Sequence, residues 1–253
     1  MRPIQKPVST CFAKRTILLS LCLFISFNQL FALDMKDKGK IIYLIPGQGA
    51  DGRLFKNIQI DGYETAIVEY LLPEKGETMA EYARRISAQI DSTRPYSFVG
   101  VSLGGMIAVE MTKYMNPEEC IIIASAKSKE DIPKRYQFFR KYFPLYRILS
   151  GRFFKLSTRL AQPLFEPLTK ENQALFRDML KRKDPKFMKR IVRCIVEWEN
   201  ETYREDIIHI HGAHDHTLPV KSANPTIILT EGTHMMTLSM GEEIAELLNE
   251  YIK

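Results

Sequence analysis

The chain has 253 residues and a mass of 29.3 kDa, with 45% hydrophobic and 26% charged residues. That balance suits one domain-sized core and excludes disordered, collagen-like and disulfide-scaffolded chains. Thirty-six Lys and Arg against 30 Asp and Glu give a net charge of +6, but four of those cations (Arg2, Lys6, Lys14, Arg15) lie in an acid-free stretch at residues 1–33, so the chain as a whole is not a basic nucleic-acid binder.

After those cations comes Ile17-Leu-Leu-Ser-Leu-Cys-Leu-Phe-Ile-Ser-Phe27, an eleven-residue apolar run that Asn28 and Gln29 interrupt. A membrane-spanning helix needs about 20 apolar residues, so residues 1–33 read as a secretory signal peptide and predict export to the periplasm or beyond. Ala32 is the candidate last residue before cleavage. Leu30, bulkier than the small residue such a site prefers, keeps an uncleaved membrane anchor as the alternative. Cys22 follows the bulky Leu21 and carries no lipoprotein signal. Beyond this segment only Cys120 and Cys194 remain, and both sit in apolar surroundings. They read as separate buried small side chains, with pairing in an oxidising compartment as the alternative.

From residue 40 onward, apolar runs of strand length alternate with helical segments, the pattern of parallel strands joined by crossover helices. Strands are predicted at 41–46, 65–70, 96–100, 120–124, 207–211 and 226–229. Helices are predicted at 81–90, where Thr78 and Glu81 form a capping box, at 103–114 and at 241–252. The expected fold is α/β, a doubly wound, mostly parallel sheet of about six core strands with helices on both faces. In such sheets chemistry belongs to the loops at the carboxyl ends of the strands. The alternation stops at 127–199, where 19 Lys and Arg face 8 Asp and Glu among many aromatics. This stretch is expected to be an inserted helical cap, dividing the core into 34–126 and 200–253.

Gly100-Val-Ser-Leu-Gly104 has the form of a nucleophile elbow, with an apolar strand before it and an apolar helix after it. The turn is so sharp that Ser102 must take strained backbone angles, and Gly100 and Gly104 leave room for strand and helix to pack. A serine hydroxyl is a weak nucleophile at neutral pH. It needs a histidine base, and that base needs a carboxylate to fix its tautomer and stabilise its cation. The required chain order is Ser, acid, His, each after a strand. Asp215, in His211-Gly-Ala-His-Asp-His-Thr-Leu-Pro219, and His234, in Glu231-Gly-Thr-His234, stand in that order. Glu205 and Asp206 precede their strand and so belong at the other end of the sheet. An oxyanion hole needs two converging backbone N–H groups. Leu103, after the serine, supplies one. Gln48, in the loop Pro46-Gly-Gln-Gly-Ala-Asp-Gly52, supplies the other, with Gly47 and Gly49 letting the backbone approach a substrate. That loop carries neither a phosphate-loop Lys-Ser/Thr nor a dinucleotide Gly-x-Gly-x-x-Gly.

Taken together, Ile45-Pro-Gly-Gln-Gly-Ala-Asp-Gly-Arg-Leu-Phe55, Gly100-Val-Ser-Leu-Gly-Gly105, His211-Gly-Ala-His-Asp215 and Gly232-Thr-His234 resemble the α/β-hydrolase superfamily, specifically the capped serine hydrolases of carboxylesterase type. The likeness runs over 40–253 apart from the insertion. It implies a catalytic triad of Ser102, His234 and Asp215, an oxyanion hole from the amides of Gln48 and Leu103, no cofactor and no metal. Pro46 departs from the His that many members carry before the glycine, which bears on the shape of the oxyanion loop. Serine at the elbow, where dehalogenases and epoxide hydrolases carry Asp and dienelactone-type enzymes Cys, implies acyl transfer from an ester, thioester or amide to water. The expected partner is a small acyl substrate, including lipid-like ones.

Two other readings remain. His209, His211, His214 and His216 invite a metal-dependent hydrolase, although Ala213 stands where a first metal-ligating Asp would be expected. The scaffold can also serve as a non-catalytic lipid-binding module. Stretches such as Arg135-Tyr-Gln-Phe-Phe-Arg-Lys-Tyr-Phe143 have the composition of helices that settle on anionic membranes. The alternative for them is an ordinary cap with its charges in solvent. No nucleic-acid recognition fold accompanies the charge.

Overall fold

The computed structural model describes residues 39–253 except Pro167. The leader read at 1–33, with Cys11 and Cys22, lies outside the described residues. Six strands form one parallel sheet: β1 (Ile41–Ile45), β2 (Glu64–Ile67), β3 (Tyr96–Val101), β4 (Cys120–Ile123), β5 (Ile208–Gly212) and β6 (Ile227–Leu229), in the order β2-β1-β3-β4-β5-β6. All six predicted strands form. Every residue of β1, β3 and β4 is buried, as continuous apolar runs such as Ile-Ile-Tyr-Leu-Ile require when helices cover both faces of a parallel sheet. The edge strands β2 and β6 are shorter and partly exposed.

The helix α1 (Met79–Ile86) begins at the predicted capping box: Thr78 Oγ1 accepts the Glu81 amide, and the Glu81 carboxylate accepts the Thr78 amide. It buries Met79, Tyr82, Ala83 and Ile86, spaced one turn apart along a single face. It then tightens into a 3-10 turn at Ser87–Gln89. By contrast α2 (Leu103–Met111) is buried on every side, which explains its unbroken apolar sequence. Its one charged residue, Glu110, accepts hydrogen bonds from Trp198 Nε1 at 2.6 Å and Lys113 Nζ at 2.8 Å, so the only tryptophan of the chain ties the end of the insertion to the central helix.

Four helices lie between β4 and β5: α3 (Lys134–Tyr142), α4 (Gly151–Phe165), α5 (Lys170–Arg182) and α6 (Pro185–Val196). Their starts are written in the sequence. The side chains of Ser150, Thr169 and Asp184 each cap the helix that follows, and Pro185 opens α6 at a position where its missing N–H costs nothing. On α6, Phe187, Met188, Ile191 and Cys194 recur at helical spacing and are buried. Gly151 is required because a Cβ there would overlap the Pro185 carbonyl where α4 meets α6. Phe176, Met179 and Leu180 of α5 join the main core, and Arg53–Asp178 and Lys56–Glu171 ion pairs stitch the same helix to the segment after β1. Two short elements close the chain, α7 (Met236–Ser239) and α8 (Gly241–Tyr251). Cys120 and Cys194 are both free and buried. Burial pushes each thiol up to about 12, so they are packing groups rather than nucleophiles.

Strand order reverses direction at β1: β2 lies to one side of it, and β3 and all later strands to the other. The loops after β1 and β3 therefore face each other across the crevice in which open α/β sheets bind ligands.

Candidate active site

Ser102 follows β3 directly and holds φ 52° and ψ −115°. Only one other described residue that is not glycine has a positive φ, Ala124 at 47°, at the end of the neighbouring strand β4. Such angles persist only when the surroundings over-determine them. Here the Ser102 amide donates to the Ile123 carbonyl at 2.9 Å, and its own carbonyl accepts from Gly105 N, Met106 N and Ser125 Oγ at 3.0, 3.2 and 2.6 Å. The Ala124 turn thus delivers Ser125 to the elbow. A Cβ at Gly100 would overlap the Gly104 carbonyl, and one at Gly104 would overlap the carbonyl of Ile45. Both glycines meet the demand read from the motif.

Three residues far apart in sequence converge at this point. Ser102 Oγ lies 2.9 Å from His234 Nε2, and His234 Nδ1 lies 2.8 Å from Asp215 Oδ2. Asp215 sits on the loop after β5 and His234 on the loop after β6, where the chain order placed them. The other Asp215 oxygen accepts the Leu218 amide at 2.6 Å. Burial opposes the imidazolium of His234, yet the adjacent Asp215 charge and hydrogen bond, with Glu166 adding to them, outweigh it and raise the pKa. For Asp215 burial likewise opposes charge, and the His234 contacts prevail and lower the pKa. Asp206 pairs with Arg204 at 2.5 Å before β5, away from this cluster, as its position predicted.

Gly47, Gln48, Ser102, Leu103 and His234 share one cavity of about 980 Å³. A Cβ at Gly47 would rest 3.5 Å from Ser102 Cβ, and Gly49 holds φ +80° with Leu180 of α5 packed over it, so both glycines let the loop lie close to the serine beneath the insertion. The Tyr70 hydroxyl donates to the Pro46 carbonyl, which answers the question raised by Pro46: a tyrosine at the end of the β2 segment holds the loop in place. The helices between β4 and β5 also line the cavity, through Thr158, Ala161 and Gln162 of α4, Phe176 of α5 and Ile195 of α6.

The histidine cluster divides. His209 Nε2 and His211 Nδ1 lie 2.9 Å apart, and His211 Nε2 meets the Leu218 carbonyl at 2.7 Å. That carbonyl accepts, so Nε2 of His211 carries its proton and His209 Nε2 donates to His211 Nδ1. Both rings are fully buried, and burial lowers both pKa values, His209 far below the usual imidazole range. His214 and His216 lie on the exposed part of the next loop. Among the described residues no group of three or more His, Cys, Asp or Glu is arranged to hold a metal ion.

One residue had escaped sequence reasoning. Glu166, just past the last turn of α4, is 3% exposed. Its Oε1 accepts from the amides of His216 and Thr217 at 3.0 and 3.1 Å and from Thr217 Oγ1 at 3.2 Å, while Oε2 accepts the His234 amide at 2.8 Å. A signal existed: Glu166 is the only acid in residues 132–170, a stretch otherwise read simply as basic.

The six-strand parallel sheet with its flanking helices is the α/β-hydrolase fold. Its solved structural relatives include an esterase from Exiguobacterium antarcticum, with a TM-score of 0.68 and 15% identity over 84% of this chain and 91% of that one. A lipase-esterase related protein from Clostridium acetobutylicum has a TM-score of 0.63 and 14% identity over 86% of this chain and 96% of that one. A hydrolase from Pseudomonas aeruginosa has a TM-score of 0.64 and 10% identity over 85% and 91%. No protein-family model and no curated protein sequence matches the chain. At these identities the likeness establishes the fold, and the chemistry must be argued from the site.

Proposed function

We propose that this protein is an exported serine esterase that cleaves a carboxylic ester, or a related thioester or amide, through an acyl-enzyme. The observation that carries this reading is the continuous relay from Ser102 Oγ through His234 to Asp215, at 2.9 and 2.8 Å, on a serine held at positive φ. Esterases among the structural relatives lend it further support. In the reaction Ser102 Oγ attacks the substrate carbonyl carbon while His234 Nε2 takes its proton, and the buried Asp215 stabilises the resulting imidazolium. The negative charge that develops on the carbonyl oxygen is met by the amides of Gln48 and Leu103. Collapse expels the alcohol, which leaves with the proton from His234. Water then loses a proton to His234 as it attacks the acyl carbon, and Ser102 Oγ regains that proton as the acid departs. The insertion acts as a cap: it roofs the cavity and surrounds the acyl group with side chains such as Leu54, Phe176 and Ile195.

A fluorophosphonate probe with a p-nitrophenyl ester assay tests the proposal. Wild-type protein is expected to be labelled and active, and Ser102→Ala neither. Labelling that persists in the alanine variant sinks the serine mechanism. Activity lost on chelation would direct attention to the histidine cluster, and absence of both labelling and turnover to a binding module.

A further inference from the structure

Helix α4 packs Phe154 against the core and yet carries a second apolar stripe on its outer face. A surface helix normally faces its apolar stripe to the core. Here Thr158, Ala161 and Gln162 face the cavity, whereas Phe153, Leu156 and Leu160, spaced to lie on one face, point outward, with Leu160 61% exposed. The preceding segment continues the exposed apolar surface with Phe143, Leu145 and Ile148, the last 76% exposed. Residues 132–165 contain eight Lys and Arg and no Asp or Glu; Arg140 and Arg147 pair with Glu199 and Glu197, while Arg152 and Arg159 border one side of the apolar stripe of α4 at exposed positions. From this we propose that the outer face of α4 and the 143–148 segment dock on an anionic lipid bilayer. Apolar side chains bordered by cations match the acyl boundary beneath negatively charged headgroups, and the long basic side chains can reach the phosphates while their stems stay in the apolar layer. Among the described residues no helix is long and apolar enough to cross a membrane. The proposed contact does not depend on the serine mechanism.

The test uses the full chain carrying Leu156→Trp as a local reporter, because the native Trp198 is buried. Vesicles of phosphatidylglycerol should blue-shift the reporter and brominated acyl chains should quench it, while phosphatidylcholine vesicles leave it unchanged. Arg152→Glu with Arg159→Glu, or added salt, should weaken the response at least tenfold. A reporter that stays unmoved while the protein sediments with vesicles would assign membrane binding to residues 1–33 and overturn the proposal. So would an equal response to both lipids, or a vesicle-free dimer that buries the same tryptophan.

A second, independent observation concerns Glu166, and it rests on the serine reading above. This buried carboxylate reaches from the insertion to both loops that carry the partners of Ser102, accepting from His216 and Thr217 beside Asp215 and from His234 itself. We infer that Glu166 is a positioning residue that registers the acid and base loops against each other and makes the relay complete only when the insertion is docked. A glutamine can accept through one oxygen but not both, so Glu166→Gln must release one of the two loops. Misplacing a catalytic group by about 1 Å can cost about 100-fold in rate. Glu166→Gln is therefore expected to lower kcat by that order while KM changes little, and Glu166→Ala to lower it further. The groups facing the His234 ring are Asp215, Glu166 and, through Asp215, His211. Removing the Glu166 charge should therefore move the NMR titration of His234 downward, a readout that requires no turnover. Unchanged titration in a folded Glu166→Gln protein overturns the inference even if the esterase reading fails, and loss of Tm with wild-type kcat per labelled serine would reduce Glu166 to a structural contact.

Discussion

The sheet centre and the insertion solve opposite problems with the same chain. In β1, β3, β4 and α2 every residue is buried, and the only freedom left is used to strain Ser102. The insertion carries a net charge of +11 over 127–199, leaves large apolar side chains in solvent, and buries two acids, Asp131 beside its own backbone turn and Glu166 against the loops after β5 and β6. The difference teaches that Ser102 is held by packing on every side, whereas one wall of the cavity is lined by helices whose outer faces stay in solvent.

The sharpest way to break this contrast is Asp215→Asn. If the relay is the engine, kcat/KM should fall about 10⁴-fold with the fold intact, because the imidazole loses its orienting charge. A small loss would show that the core geometry is incidental. Gly49→Ala probes the seam between the two regions. It forces φ +80° on a residue with a Cβ and presses that Cβ against Leu180, so stability should drop by about 1–2 kcal/mol from the backbone alone and turnover should drop about 100-fold through the displaced oxyanion loop. Chemical denaturation and steady-state kinetics on the same preparation separate the two effects.

The pH profile refines the comparison. His234 must be neutral to accept the serine proton, and Asp215 and Glu166 raise its pKa. Activity should therefore fall about tenfold per pH unit on the acid side, through a pKa above the ordinary imidazole value of about 6.5. A limb at or below that value would contradict the electrostatics of the site. Smallest is Thr78→Ala, which removes the N-cap of α1 at a residue that does not line the cavity. It should cost about 1 kcal/mol of stability and leave activity per folded molecule unchanged. A change in kcat would mean that the periphery of the sheet is coupled to the elbow after all.

Much of this molecule was legible before any coordinates. Apolar runs of strand length located all six strands, because a parallel strand covered on both faces admits few polar residues. Gly-x-Ser-x-Gly located the elbow, since glycines at 100 and 104 leave the room that so tight a turn needs. The sequence also ordered Asp215 and His234 after their strands, and topology then leaves them no other end of the sheet. What the sequence by itself determined is therefore whatever depends on local backbone geometry and periodicity. Only the tertiary structure decided that His209 and His211 bond to each other, that Ser125 and Tyr70 brace the elbow and its neighbouring loop, that α4 turns an apolar face outward, and that Glu166 spans two loops about 50 and 68 residues further along the chain. Those outcomes depend on which surfaces meet across long separations, and a partner's identity leaves no trace in the periodicity of the segment that receives it.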